Sequence, residues 1–310
     1  MAVQMKGKSL AALNDLTREE IEQILKTSEL LKLQLIRGQE HPVLKGKTLA
    51  MIFEKPSTRT RVSFEVGMWQ LGGYALYLSS NDLQLGRGES IGDTARTISR
   101  YSNGIMARVF AHQTILDLIR YSSVPVINGL SDFSHPCQGL ADLFTVYEKK
   151  GRLEGLRLAY VGDGNNVAHS LIEGCSKMGT NIILACPKGY EPDSKVVGQG
   201  KKEAKKNGSE VKVTNDPKEA IKGADVIYTD VWTSMGQEKE KGERIKILKP
   251  YQINSKMVKG AKDDYIFMHC LPAHRGEEVT DEVADSQNSV IFDQAENRLH
   301  TQKALMALVM

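Results

Sequence analysis

Short apolar runs separated by segments of helical spacing recur along this chain, and that alternation constrains the fold more than any single residue does. In the first half the runs are residues 49–53, 75–78, 105–109 and 124–127; in the second they are 156–161, 182–185, 211–213, 226–228 and 265–268. Alternation of this kind implies parallel sheets with helices on both faces. The expected fold class is α/β, with two doubly wound parallel-sheet domains in series. A charged turn, Lys149-Lys150-Gly151-Arg152, marks the border, giving domains of 1–148 and 149–294. The 310 residues are enough for two cores of ordinary size. The last stretch, about 295–310, carries Leu299, Ala304, Leu305 and Leu308 at helical intervals and is expected to pack back on the first domain.

Near the start, Thr17 and Glu20 have capping-box spacing and open a helix with apolar Ile21, Ile24, Leu25, Leu31 and Leu35, ending near Gly38. The 41 basic and 38 acidic residues nearly balance, which argues against nucleic acid or a membrane surface as the main partner. Lys6 and Lys8 have no apolar stretch behind them and no run reaches the length of a membrane span, so a cytoplasmic protein is expected. Cys137, Cys175, Cys186 and Cys270 are scattered without a Cys-x-x-Cys pair, as reduced thiols would be. The lysine-rich stretch 201–206 reads as a solvated helix face, and the polar insertion 236–243 as a mobile lid.

Pro56-Ser57-Thr58-Arg59-Thr60-Arg61 lies between the first strand and a helical run in which Val62, Val66 and Trp69 share a face. Two arginines in a first turn oppose the helix dipole, an arrangement that makes sense when an anion docks there. Backbone N–H groups, three hydroxyls and a guanidinium then converge on one phosphate-sized ligand. The plainer alternative is a capped helix with solvated arginines. It suits Arg61, which can pair with Glu65 one turn on, better than Arg59.

Gly162-Asp163-Gly164-Asn165-Asn166-Val167 resembles a dinucleotide turn but has Val167 at the third glycine position, and the next strand leads to Cys186 and Pro187 rather than to an acid. The turn can still present Asn166 at the carboxyl edge of the sheet. In Ser134-His135-Pro136-Cys137-Gln138, the histidine is either a hydrogen-bonded structural group or a neutral donor to a developing oxyanion, and Arg108 at a strand end is a second candidate for the same oxygen. Asp230 ends another strand and suits an ammonium group. His269-Cys270-Leu271-Pro272-Ala273-His274 offers possible metal ligands but no clear fourth, so no metal is expected; Cys270 alone can be a small buried apolar residue.

The Ser-Thr-Arg-Thr-Arg, His-Pro-Cys-Gln, Asp230 with Ser234-Met235-Gly236, and His-Cys-Leu-Pro motifs, in this order over essentially the whole chain, resemble those of the aspartate/ornithine carbamoyltransferase family, on its ornithine branch. The resemblance implies transfer of the carbamoyl group from carbamoyl phosphate to the δ-amine of L-ornithine, giving L-citrulline and phosphate in a step of arginine biosynthesis, with no metal or organic cofactor. It implies that Ser57, Thr58, Arg59 and Thr60 hold the phosphate, and that Arg108, His135 and Thr60 serve the carbonyl oxygen. Gln138 and the Leu271 carbonyl take the carbamoyl nitrogen, and Arg298 completes the site. Asn166, Asp230, Ser234 and Met235 grip the amino-acid end of ornithine, with Cys270 beside its δ-amine as a further catalytic residue. Gln84, in a loop with Arg87, reaches the neighbouring subunit's site in a homotrimer or an assembly of trimers, and closure of the domains with the 234–243 loop excludes water. The alternatives are a carbamoyltransferase for another amine such as putrescine, or a nicotinamide-dependent dehydrogenase on the same scaffold.

Overall fold

A computed structural model describes residues 2–83, 88–233 and 240–310. The chain forms two compact units, Met1–Phe144 with Glu296–Met310, and Thr145–Ala295. The first contains α1 (Arg18–Ile36), β1 (Thr48–Phe53), α2 (Thr58–Gln70), β2 (Tyr74–Ser79), α3 (Ile91–Tyr101), β3 (Gly104–Arg108), α4 (His112–Tyr121) and β4 (Val126–Leu130), and then enters α5 (Pro136–Lys150). The first unit ends at Phe144, within α5, which runs on to Lys150. The strands form one parallel sheet in the order β2-β1-β3-β4. β1 and β3 are therefore neighbours whose following chains diverge to opposite sides, and Phe53 pairs with Arg108 at their carboxyl ends. Such a divergence opens a crevice at the strand ends, where ligands of open α/β sheets bind.

Local sequence explains most of these elements. Thr17 and Glu20 form a reciprocal capping box at the start of α1. Residues 49–53 of β1 are all buried, as a central parallel strand requires. β4 starts at Val126 rather than residue 124, because Pro125 has no N–H to give the ladder. The buried face of α2 is not the one that carries Val62 and Trp69. Val62 and Trp69 are exposed, and Thr60, Ser63, Phe64, Gly67 and Met68 face inward. That stripe also has helical spacing, but its hydroxyls hide it from a search for apolar residues. Gly67 lets α11 (Ile291–Val309) approach closely: a Cβ there would lie 3.0 Å from Met306 Cε and 3.2 Å from Lys303 Cγ. α11 begins four residues before the expected start, and Ala304 and Leu305 are buried with Arg298, Gln302 and Lys303.

The second unit contains β5 (Arg157–Val161), α6 (Asn166–Lys177), β6 (Asn181–Ala185), α7 (Ser194–Lys206), β7 (Val211–Thr214), α8 (Pro217–Ile221), β8 (Val226–Thr229), α9 (Lys241–Leu248), β9 (Ile266–His269), α10 (Asp281–Ala284) and the start of α11. Its sheet is also parallel, in the order β7-β6-β5-β8-β9, so the strand order reverses between β5 and β8. Ala159, Val161, Ile183, Ile227 and Phe267 belong to the core on one face. The lysines of 201–206 lie on the outer side of α7, with Ala204 turned inward. Part of the expected polar insertion, residues 240–243, passes into α9; the remainder lies outside the described residues. Among the described residues, no helix is long and apolar enough to cross a membrane.

The turn after β5 differs from a dinucleotide loop in what it packs against. Gly162 has φ +144°, and Gly164 N–H donates to Tyr190 O. A Cβ on Gly164 would stand 2.2 Å from Pro192 N and 2.5 Å from Glu191 C, so the chain's own backbone fills the space beside this glycine. Gly164→Ala must move that backbone and is expected to lower unfolding stability by about 1–3 kcal/mol. Gly198→Ala, in α7 with open space around its Cβ position, should instead stabilise by about 0.5–1 kcal/mol. Urea unfolding of both variants against the parent protein tests the pair.

Candidate active site

In the first unit the predicted phosphate turn is the N-terminus of α2. Ser57 is its N-cap and its Oγ accepts from Thr60 N at 3.3 Å, leaving the Thr58 and Arg59 N–H groups outside the helix's own ladder. Arg61 is committed to the surface: its Nε donates to Glu65 Oε1 at 3.0 Å, and its guanidinium lies 3.9 Å from the Tyr77 ring centroid. Arg59 does not share that arrangement. Arg108 ends β3 and is buried, as are Thr60, His135, Gln138 and Arg298. The pKa of His135 is pushed well below the ordinary histidine value, first by burial and then by the Arg298, Arg108 and Arg59 charges. The imidazole is thus neutral at physiological pH, and three guanidinium groups lie close enough to act on it.

Arg298 joins the predicted residues physically. Its Nη1 donates to Gln138 Oε1 at 2.8 Å, its Nη2 to Thr60 Oγ1 at 3.2 Å and its Nε to Gln302 Oε1 at 2.8 Å. Gln138 also donates from Nε2 to Asp142 Oδ1 at 2.8 Å. Residues from α2, α5 and α11 therefore form one buried polar cluster, and Arg108 and Arg59, whose charges act with that of Arg298 on His135, add positive charge suited to an anion carrying a carbonyl group.

In the second unit, the carboxyl ends of β5, β8 and β9 bring together Asn165, Asp230 and Cys270. Asp230 is buried; its Oδ2 accepts from Asn165 Nδ2 at 2.7 Å and its Oδ1 from the Cys270 thiol at 2.9 Å. Cys270 is half-buried and polar-bonded, not the small apolar filler of the plainer reading. Asn166, the predicted residue, is the first residue of α6, while its neighbour Asn165 is the N-cap, accepting from Val167 N at 2.9 Å and Ala168 N at 3.2 Å. Sequence reasoning passed over Asn165, although an asparagine just before a helix is a capping signal.

The segment after β9 is held from behind. Leu271 N–H donates to His269 Nδ1 at 2.8 Å, which puts the ring proton on Nε2, 3.2 Å from Glu278 Oε1. Both ring nitrogens are thereby engaged, so His269 has no lone pair to offer a metal although Asp230 and Cys270 stand near it. Of the nearby His274, Glu277 and Glu278 group, Glu277 pairs with Lys241 at 3.0 Å. Leu271 has φ +59°, an unusual conformation for a branched residue, and is followed by a cis peptide to Pro272. A second feature with no sequence signal is the buried pair Asp163–Arg244, from residues 81 positions apart; Arg244 Nε also donates to Trp232 O at 2.6 Å. Burial raises the Asp163 pKa to about 6 despite the opposing pull of Arg244. Gln84, Arg87, Ser234 and Met235 lie outside the described residues.

The chain matches two family profiles: residues 8–148 match the carbamoyl-P binding domain of aspartate/ornithine carbamoyltransferase, and residues 154–309 its Asp/Orn binding domain. It is 64% identical to an ornithine carbamoyltransferase of Thermococcus kodakarensis, over 100% of this chain and 98% of that protein. It is 60% identical to one of Pyrococcus furiosus described as anabolic, with the same coverage. The crystal structure of ornithine carbamoyltransferase from Campylobacter jejuni, also described as anabolic, aligns with TM-score 0.91 at 42% identity, covering 96% of this chain and 97% of that one. The ornithine carbamoyltransferase structure from Pyrococcus furiosus aligns with TM-score 0.97 at 60% identity, covering 100% of this chain and 99% of that one.

The depressed pKa of His135 has a measurable sign. As pH falls below about 6.5 the unfolded chain takes up a proton that the folded protein refuses, so folding stability drops through that range. His135→Asn should make stability less sensitive to acid between about pH 6.5 and 5 than in the parent, judged by urea midpoints. An equally steep loss in the variant would contradict a buried neutral imidazole.

Proposed function

This chain belongs to the aspartate/ornithine carbamoyltransferase family, and we propose on that footing that it transfers the carbamoyl group of carbamoyl phosphate to the δ-amine of L-ornithine, releasing L-citrulline and phosphate. The observation that carries the choice of amine is the Asp230 carboxylate, held by Asn165 and Cys270 at the strand-order reversal of the second sheet. A carboxylate there attracts an amino acid through an ammonium group and repels a second substrate carboxylate such as that of aspartate. Putrescine has no α-amino group to use it.

The α2 N-terminus, with Ser57, Thr58, Arg59 and Thr60, holds the phosphate through N–H groups, hydroxyls and a guanidinium. The neutral δ-amine attacks the carbamoyl carbon, forming the C–N bond and placing negative charge on the carbonyl oxygen. Arg108, His135 and Thr60 donate to that oxygen. Fixed donors of this kind favour the charge as it develops and need little reorganisation. Breaking the C–O bond then releases phosphate, which carries away the proton that the amine gives up. Because only the unprotonated amine reacts, turnover rises with pH until that amine is mostly neutral. Gln138 and Arg298 orient the carbamoyl end; Asn166, Ser234 and Met235 join Asp230 on the amino-acid end, and Cys270 lies beside the δ-amine.

The finer reading is a cytoplasmic enzyme of arginine biosynthesis, working as a homotrimer or an assembly of trimers in which the Gln84 loop serves a neighbouring subunit. Self-association is supported by Val62 and Trp69 on α2 and by Tyr74 and Leu76 on the edge strand β2, all large apolar side chains left exposed.

Citrulline should form from carbamoyl phosphate with ornithine, and not with putrescine, aspartate or acetylornithine. Arg59→Ala and Asp230→Asn should each lower kcat/KM on the order of 100- to 1000-fold. Turnover of putrescine that survives Asp230→Asn would replace ornithine with a simpler diamine. Saturable NADH binding without any carbamoyl transfer would reject the family activity altogether.

A further inference from the structure

Gln302 has no place among the substrate-binding residues, yet it is fully buried and bonded on both sides. It lies four residues after Arg298 on α11, on the same side of the helix, and its Oε1 accepts from Arg298 Nε at 2.8 Å. Its Nε2 donates to Ser63 Oγ at 2.7 Å, and Ser63 in turn donates to the carbonyls of Arg59 and Thr60. We infer that Gln302 is a positioning residue for carbamoyl transfer, holding the Arg298 guanidinium so that Thr60 and Gln138 present fixed hydrogen-bond polarity to the carbamoyl group. The inference rests on the proposed reaction.

The reason lies in what a guanidinium can do. It donates and never accepts, so every oxygen it touches must be an acceptor. Thr60 Oγ1 receives Arg298 Nη2 and therefore points its own proton elsewhere, which makes it a donor to a carbonyl oxygen. Gln138 turns Oε1 toward Arg298 Nη1, so its amide nitrogen faces the other way, toward Asp142. Gln302 is fixed by the same rule, with its oxygen on Arg298 and its amide nitrogen on Ser63. One cation thus sets the donor and acceptor sense of three side chains. With Gln302 gone, the Nε edge is released and the planar group can rotate, and Thr60 and Gln138 lose their common reference.

A tie that merely joined α2 to α11 would affect stability alone. The decisive comparison uses full-length Gln302→Met, Gln302→Glu and Ser63→Ala, with thermal midpoints recorded beside the kinetics. Gln302→Met keeps the volume and loses both bonds. Its kcat/KM for carbamoyl phosphate should fall roughly 10- to 100-fold, the range of a hydrogen bond to a charged group. The KM for ornithine should stay within about twofold, since none of the residues assigned to ornithine is among the displaced groups. Gln302→Glu restores an acceptor to Arg298 and should recover most of the loss. Ser63→Ala removes only the far anchor and should show the same pattern as a loss of roughly 3- to 10-fold, the range of an ordinary hydrogen bond, which keeps the inference testable should Gln302→Met not fold.

Parental kinetics in folded Gln302→Met or in Ser63→Ala would overturn the inference while leaving the reaction in place. So would an equal loss of ornithine affinity that Gln302→Glu does not recover. A parent protein that forms no citrulline would instead defeat the proposed reaction, and this inference with it.

Discussion

Arg298, with only 3% of the residue's surface exposed, must have its guanidinium solvated by the protein, and the first unit is arranged around meeting that demand. Each of its three nitrogens has an oxygen partner, drawn from α2, α5 and α11. Leaving such a group unpaired would cost several kcal/mol. The polar residues on the inward face of α11 and the hydroxyls on the inward face of α2 therefore serve in place of an apolar seam. Gly67 lets the two helices approach closely enough for these short side chains to meet.

The second unit solves the opposite problem. Asp230 is a buried carboxylate, and its two oxygens are met by Asn165 and Cys270. Both partners come from the ends of neighbouring strands or the turn after one, so the sheet order itself delivers them. Behind them His269 and Glu278, both without solvent exposure, fix the backbone at Leu271. A residue held at φ +59° persists only where its surroundings determine it, and the His269 ring supplies that constraint.

The sequence disclosed the fold class because buried parallel strands are short, apolar and regularly spaced; all nine appeared in the structure within two or three residues of expectation. It marked the Arg59 turn as a candidate anion site because two cations at a helix start conflict with the dipole, and a conflict is visible locally. The inward face of α2 was not legible because apolar periodicity cannot register Thr60 and Ser63, whose partners on α11 lie more than 230 residues away. Asn165 was passed over for Asn166 because the adjacent residues differ only in whether each caps the helix or begins it. Asp163–Arg244 and Gln302 had no signal for the same reason as Ser63: their meaning comes from long-range pairing, which no local pattern records.

The positions of Asp230 and Cys270 also bear on how a carboxylate can serve an enzyme whose nucleophile must be neutral. A carboxylate next to an amine raises its pKa and favours the unreactive ammonium form. Ornithine carries two amines, and the reaction needs one of them charged and the other free. In the proposed site the α-ammonium is matched to Asp230, while the δ-amine meets the Cys270 thiol, whose proton is already directed to Asp230 Oδ1. The sulfur thus offers the δ-amine a neutral, weakly accepting neighbour and stands between it and the carboxylate charge. On this arrangement a substrate with only one amine could not satisfy both demands, so the separation of one buried charge from one neutral thiol favours a substrate with two.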